Sequence, residues 1–310
     1  VEVLLIQIES ISKHFGSNIA VDSLSYEFSP GKLTGFLGPN GAGKTTTIRM
    51  IMNILVPDSG RVLLEGRVMN EAARNRTAYL PEERGLYRDM KVMEHLQFFA
   101  SLKGVPRRES AARAEHWLER LGLSDRSGSR IKELSKGMQQ KIQFAGTLLH
   151  EPELILLDEP FSGLDPVNTE SLREIILELK DEGRTVIFST HMMEQAEQLC
   201  DEIVLIDEGK IVLSGNLSSI RESFGSVRLR IRYQGSSDVL MNDARVQSCE
   251  KTGEGSVEIL LNSEAEIPAA LRDWSQKLDL LSVEPVQPSL HNIFLQSVGR
   301  GVSETAGGAL

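Results

Sequence analysis

The chain has 310 residues, enough for one large domain or two of modest size, and its 40% hydrophobic and 25% charged residues describe a globular protein with a real core. That balance excludes disordered, collagen-like and small disulfide-stapled chains. Asp and Glu outnumber Lys and Arg by 44 to 34, and the net charge of -10 argues against bulk binding to DNA, RNA or anionic lipid, so no nucleic acid is expected as a partner.

Cys200 and Cys249 are the only cysteines and stand in no ligand spacing, which reads as two ordinary buried thiols of a reducing compartment. No run reaches the roughly 18 apolar residues of a membrane span. The opening VEVLLIQIES has neither a basic leader nor a small-residue cleavage site, so it does not read as a signal peptide. Action at a membrane is expected to go through a partner.

In chain order, IQIESISKHF alternates loosely and VDSLSYEF cleanly, which predicts two strands across a turn at SNIA. LTGFLGPNGAGKTTTIRMIMNILV follows as a short apolar strand, a glycine-rich loop and a helix. Its apolar positions Ile48, Ile51, Met52 and Leu55 recur at three- and four-residue steps until Pro57 stops it. RVLLEG predicts a further strand. From about residue 89 to 150 the pattern turns helical: MKVMEHLQFFASLKG, RESAARAEHWLERLGL and GMQQKIQFAGTLLH each carry an apolar stripe between Gly or Pro breaks. Buried parallel-strand character then returns in LILLDE and TVIFSTH, with a helix from Pro166 to Gly183 between them. EIVLID and KIVLSG read as a closing hairpin across EGK.

Near residue 220 the pattern shifts. VRLRIRY alternates strictly, VEILLN is a strand, IPAALRDWSQKL a helix, and LLSVEPV a last strand before a helix from about Ser289 to Val298. A separate small α/β domain is expected over 221–300, and a disordered tail over 301–310. Arg228, Arg230 and Arg232 fall on one strand face, opposite Val227, Leu229 and Ile231. That face reads either as solvated or as a contact for a partner or phospholipid heads.

Gly38-Pro39-Asn40-Gly41-Ala42-Gly43-Lys44-Thr45 matches the full GxxxxGK[ST] phosphate loop in the strand-then-helix context that the motif needs. Its glycines let backbone N–H groups converge on a phosphate, aided by the helix N-terminus. Lys44 reaches the β- and γ-phosphates, Thr45 offers its hydroxyl to Mg²⁺, and Thr46 is counted with the binding residues. Asp158, at the end of the buried LILLDE run, is placed to hold Mg²⁺, and Glu159 beside it to polarise the attacking water. A plain acidic strand end is the bland alternative for both. His191 closes TVIFSTH on the same sheet edge and is a candidate γ-phosphate contact, which makes Glu159, His191 and Lys44 the catalytic candidates.

These pieces together resemble the ATP-binding-cassette (ABC) ATPases. Leu134-Ser135-Lys136-Gly137-Met138 looks like their signature loop, Ser162-Gly163-Leu164-Asp165 like their D-loop, and His191 like their switch histidine. Phe15 falls where the family stacks an aromatic ring on adenine. The resemblance covers residues 1 to about 220 and implies an α/β P-loop NTPase cassette: a RecA-like core, an antiparallel β subdomain, and an α-helical subdomain at about 89–150 that contacts a membrane permease. It further implies ATP and Mg²⁺ as cofactors. Cassettes pair head to tail, so that Ser135, Gly137 and Asp165 serve the nucleotide of a second chain, by economy a homodimer, with a heterodimer left open. The last 90 or so residues look similar to the C-terminal extension of ABC-2-type exporter subunits, PSLHNIFLQSVG being the most telling stretch, and LPEERGLY at 80–87 is also typical of that subgroup.

Two departures from the family pattern stand out. Lys136 and Met138 replace the third and fifth residues of the usual LSGGQ, while the serine and second glycine survive. Glu82, in Tyr79-Leu80-Pro81-Glu82-Glu83, stands where the family has a glutamine that touches Mg²⁺. The leading expectation is an ATP-hydrolysing subunit that powers an export permease from the cytoplasmic face of the cell membrane. A same-fold ATPase of a soluble machine is the alternative.

Overall fold

A computed structural model of the protein describes residues 6–83, 85–224, 228–286 and 289–306. Its contacts divide the chain into two units, Val1–Asn216 and Leu217–Leu310, so the division falls a few residues before the boundary read from the sequence.

In the first unit, β1 (Ile6–Phe15) and β2 (Asn18–Phe28) form a hairpin whose turn is Gly16–Ser17, so that most of the stretch SNIA belongs to β2 rather than to the turn. Bulges in β1 explain its loose alternation: pairing shifts between Ile8 and Ile11, where Ser10 takes φ 46°. After β3 (Leu33–Leu37) comes α1 (Lys44–Ile51), which ends well before Pro57. Asn53 turns to φ 51°, and the Ile54 and Leu55 amides both bond back to the Arg49 carbonyl. A left-handed cap thus closes the helix before the proline can. Then follow β4 (Ser59–Leu64), β5 (Arg67–Val68), α2 (Glu71–Asn75) and β6 (Thr77–Leu80).

Three helices, α3 (Val92–Leu102), α4 (Arg107–Arg120) and α5 (Lys136–Leu148), make the helical region expected there. Their apolar stripes bury Leu96, Ala114, Trp117, Ile142 and Phe144 against one another. The chain re-enters the core through β7 (Leu154–Asp158), α6 (Pro166–Asp181), β8 (Thr185–Thr190), α7 (Met193–Leu199), β9 (Glu202–Asp207) and β10 (Lys210–Asn216).

The central sheet has the order β10-β9-β3-β8-β7-β6, parallel except for β10. Every residue of β3, β7 and β8 is buried, which is why these strands read as continuous apolar runs rather than alternations. Each fully buried Leu, Ile or Phe there contributes about 1.5–3 kcal/mol. A second sheet, β2-β1-β4-β5, is antiparallel, and its inner face packs on α1 and the central sheet through Phe28, Ile6 and Leu64.

The register of the central sheet positions the site. Leu37 lies opposite Thr190, Asp158 opposite Ser189, and Leu80 opposite Leu157. The carboxyl ends of β3, β8, β7 and β6 therefore stand side by side. Segments that are far apart in sequence empty onto one edge, where open α/β sheets bind ligands.

In the second unit α8 (Leu217–Ser223), β11 (Arg228–Gln234), α9 (Asp238–Met241), β12 (Val246–Gly253), β13 (Ser256–Leu261), α10 (Ile267–Ser275), β14 (Asp279–Val286) and α11 (Leu290–Ala306) form an α/β fold. Its antiparallel sheet has the order β12-β13-β11-β14. Leu229, Ile231, Val257 and Ile259 pack against Leu240, Ala270 and Trp274. The Trp274 indole donates to Asp243 Oδ2 at 2.8 Å, so the one polar atom of that ring is satisfied.

The arginine face of β11, read as solvated or as a contact surface, is partly paired within the sheet. Arg228 is buried and lies 3.8 Å from Glu250, and Arg230 pairs with Glu258 at 2.7 Å. Acidic residues on the neighbouring strands thus face two of the three arginines, and only cross-strand register reveals them, while Arg232 is exposed. Val227 lies outside the described residues. Where a disordered tail was expected from residue 301, the helix α11 runs on to Ala306; residues 307–310 lie outside the described residues.

Candidate functional site

Between β3 and α1 the chain makes the glycine-rich loop, and two of its glycines are required by close backbone approach. Gly43 has φ 103°, and a Cβ there would sit 2.3 Å from the Ala20 carbonyl oxygen; at Gly38, φ 156°, it would sit 2.1 Å from that of Ile206. Any other residue at either point would push the loop off the strands beneath it. The helix behind the loop has no side-chain cap and no acidic residue in its first turn. Its leading N–H groups are thereby left for an anion.

A cleft of about 410 Å³ opens over this loop, lined by Phe15, Asn18, Ala20, Asn40, Gly41, Gly43, Lys44, Thr45, Thr46, Glu82 and Glu159. One end is an exposed aromatic ring, Phe15, with the Lys13 ammonium 5.9 Å from its centroid. The other end is polar and carries both signs of charge. Lys44 is buried, and its Nζ donates to the carbonyls of Gly38 at 2.8 Å and Pro39 at 3.0 Å. Burial lowers its pKa, while Glu159, Asp158 and Glu82 pull it back up. The lysine is thus a cation held in a desolvated place by surrounding carboxylates.

Asp158 is fully buried and accepts from three hydroxyls. Thr45 donates to Oδ1 at 3.1 Å, Ser189 also donates to Oδ1, and Tyr79 donates to Oδ2 at 3.4 Å. Burial, with the Asp158 charge second, pushes the Tyr79 phenol up to about 12, so it stays a donor throughout the working pH range. Thr45, Asp158 and Glu82 present only oxygen donors beside a phosphate loop, a set that suits Mg²⁺.

Glu159 follows at the strand end with φ 48°, a left-handed conformation costly for a residue with a side chain. Its own amide donates to the Ser189 carbonyl at 3.1 Å, which holds the turn. The side chain meets His191 twice: the His191 backbone amide donates to Oε1 at 3.1 Å, and the ring Nδ1 lies 2.9 Å from the same oxygen. The sequence placed His191 toward a γ-phosphate; in the structure its ring meets the Glu159 carboxylate.

Ser135, Gly137 and Asp165 are not among the residues lining this cleft. Ser135 caps α5, its Oγ accepting from Met138 N at 3.2 Å, and Asp165 caps α6, accepting from Asn168 N at 2.9 Å. The hydrogen bonds from Asn168 hold the Asp165 carboxyl below its usual range.

Sequence reasoning missed five residues around the site, Ala20 among them. Tyr79 and Ser189 stood inside motifs already singled out, and their hydroxyls were the only available signal. Asn18, three residues after Phe15, and Gln143 on α5 carried none.

A family model described as ABC transporter matches residues 21–162, and one described as ATP-binding protein DrrA1-3-like, C-terminal domain, matches residues 215–298. An ABC transporter ATP-binding protein of Bacillus subtilis, YhaQ, is 41% identical over 95% of this chain and 99% of its own length. The linearmycin resistance ATP-binding protein LnrL of the same organism is 31% identical over 96% of this chain and 99% of its own. Among solved structures, the ATP-binding subunit of an ABC transporter superposes with a TM-score of 0.66 at 32% identity, covering 71% of this chain and 93% of that one.

Proposed function

The chain belongs to the ABC transporter ATP-binding proteins, and from that premise we propose that it binds MgATP in the cleft over the phosphate loop and hydrolyses it to power an export permease. The observation that carries the reading is the Glu159–His191 contact at 2.9 Å, on a cleft that also holds Lys44 and Thr45.

Phe15 stacks on adenine, and the N–H groups of residues 40, 41 and 43–46 close on the β-phosphate, that of Ala42 being spent on the Pro39 carbonyl. Two donors of Lys44 are spent on its own loop. The remaining N–H reaches the β- and γ-phosphates. Thr45, Asp158 and Glu82 would hold Mg²⁺, which offsets phosphate charge when bound. Glu159 takes a proton from the attacking water as that oxygen bonds to the γ-phosphorus and the bond to the ADP oxygen breaks. His191 fixes the carboxylate for that step, its backbone amide and ring both meeting Oε1.

The signature residues lie off this cleft, which supports a site completed by a second chain: Ser135 and Gly137 of one copy face the γ-phosphate held by the other, with Asp165 at the seam. A homodimer is the simplest such pair. Among the described residues no helix is long and apolar enough to cross a membrane, so translocation belongs to a permease, met by the helical region at the cytoplasmic face. Export is favoured by a relative named for linearmycin resistance and by the match to the DrrA1-3-like C-terminal domain. No observation favours the soluble-machine alternative.

Glu159→Gln tests the chemistry. Turnover is expected to fall by about a hundredfold or more while MgATP holds two chains together in sedimentation. Hydrolysis at the parent rate would remove Glu159 from its role. Purifying that variant from gently solubilised membranes in MgATP tests the coupling: a stoichiometric multi-span protein is expected, and purely soluble companions would overturn the transport assignment.

A further inference from the structure

One face of α5 reaches the two loops that carry the acidic residues of the cleft. Gln140 Nε2 donates to the carbonyl of Pro160, next to Glu159, at 3.3 Å. One turn further on, Gln143 Nε2 donates to the carbonyls of both Pro81 and Glu83, each at 3.2 Å. Pro81 and Glu83 are the neighbours of Glu82 on either side. A single side-chain amide therefore pins the backbone before and after the carboxylate that lines the cleft.

The orientation of this amide follows from its partners. Both are carbonyl oxygens, which only accept, so the nitrogen must face them. The cost is visible on the other end: Gln143 Oε1 is buried without a hydrogen-bond partner among the described residues. Its neighbours Ile142, Phe144 and Ala145 are fully buried. An apolar residue at 143 would avoid that desolvation, so packing gives no reason for an amide here. The loop it grips is also stitched to the approach to α5 at its far end, where Ile131 N donates to Met90 O at 3.1 Å and Lys132 N to Arg88 O at 2.9 Å. The Glu82 loop thus hangs from the element that begins at Ser135, while Leu80 just before it belongs to the central sheet.

We propose that Gln143 is a positioning residue for Glu82: through the paired carbonyls of Pro81 and Glu83 it sets where that carboxylate stands over the phosphate loop, and it ties that position to the helix bearing the signature loop. The assignment rests on the reading of Glu82 as a Mg²⁺ ligand. It makes the cation site of one cleft responsive to how α5 of the same chain is engaged by a second chain.

The test is a double-mutant cycle in the full chain, with Gln143→Met, Glu82→Ala and both together. The readouts are kcat, the half-saturating Mg²⁺ concentration, Mn²⁺ binding to the ADP complex by EPR, and binding of a fluorescent ATP analogue in EDTA. Gln143→Met is expected to lower kcat by about tenfold and weaken Mn²⁺ binding by a similar factor, because small misplacements at such sites carry large rate costs. Analogue binding in EDTA should stay within about twofold. In the Glu82→Ala background the same change should cost less than about twofold, since residues acting through one another do not add.

An equal loss in both backgrounds would overturn the positioning role and leave Glu82 as a ligand. No effect of Glu82→Ala beside a clear loss in Gln143→Met would overturn both. Should Gln143→Met melt early, Gln143→Leu carries the same cycle with carbon alone in that space.

Discussion

Two helices of the cassette, α1 and α5, both begin without an acidic residue in the first turn, yet their N-termini are finished differently. The start of α1 has no side-chain cap; Gly43 in a left-handed turn leads into it, and the cleft closes around it. At α5, Ser135 caps the helix and lies exposed, followed by Lys136. A lysine at the positive end of a helix dipole is unfavourable on its own. Opposite a polyanion it becomes favourable. On the function proposed above, the first N-terminus belongs to a site whose walls are present in one chain, and the second to a site whose other wall comes from a second chain. Ser135 is equipped for that: its oxygen accepts from Met138 N while its own O–H is left to donate.

The sharpest way to break this comparison is to remove the charge from the first helix and leave the second alone. Lys44→Ala should weaken ATP binding by roughly ten- to hundredfold, from the loss of about 1.5–3 kcal/mol in a charge-assisted contact. Because the α1 site stands in one chain, this loss should appear in equilibrium binding at dilutions where no dimer forms. Unchanged binding would mean that the loop takes some other ligand.

Ser135→Asp probes the second helix. Aspartate is as good a cap as serine, so the fold should hold. It puts an anion where a phosphate is to arrive, and ATP-driven pairing of the Glu159→Gln chain should weaken by about tenfold or more. Binding of ATP to the single chain should not change. A loss there would make Ser135 part of the same cleft and end the contrast between the two termini.

Within the first site, Tyr79→Phe removes one of three hydroxyls on Asp158 and keeps the ring. The bond runs to a charged carboxylate but is long at 3.4 Å, so it is worth about 1.5 kcal/mol, the low end for a charged acceptor, and the half-saturating Mg²⁺ concentration should rise about tenfold. No shift in a Mg²⁺ titration of activity would show that Thr45 and Ser189 hold the carboxylate unaided.

The two termini also mark what the sequence could and could not reveal. The phosphate loop, Asp158, Glu159 and His191 were legible because each ends a buried strand, and an apolar run followed by a loop is visible in one dimension. Central strands β3, β7 and β8 and the three helices of the 89–150 region were legible for the same reason. Partners set by register were not. Thr45 meets Asp158 across 113 positions, and Glu250 reaches Arg228 only because β12 and β13 pair as they do. Gln143 was invisible in a stronger sense: it occupies a buried helix position where periodicity predicts a carbon side chain, and only the two carbonyls it faces explain the amide. Early closure of α1 was missed because Pro57 is a louder stop signal than Asn53, although the asparagine acts first.

The smallest expected effect concerns Glu82, and its sign is the informative part. Glu82, Glu159 and Asp158 all support the charged form of Lys44, so the cleft is rich in negative charge even before a nucleotide brings more. An amide oxygen is also a Mg²⁺ ligand, and Gln143 grips the backbone on either side of residue 82 whatever its side chain. Glu82→Gln should therefore keep the geometry and remove one repulsive charge from the neighbourhood of the γ-phosphate. ATPase activity is expected to stay within about twofold of the parent or to rise, with the KM for ATP unchanged or lower. A loss above about tenfold would show that the formal charge itself is needed there, because a ligand of the same shape would have failed in its place.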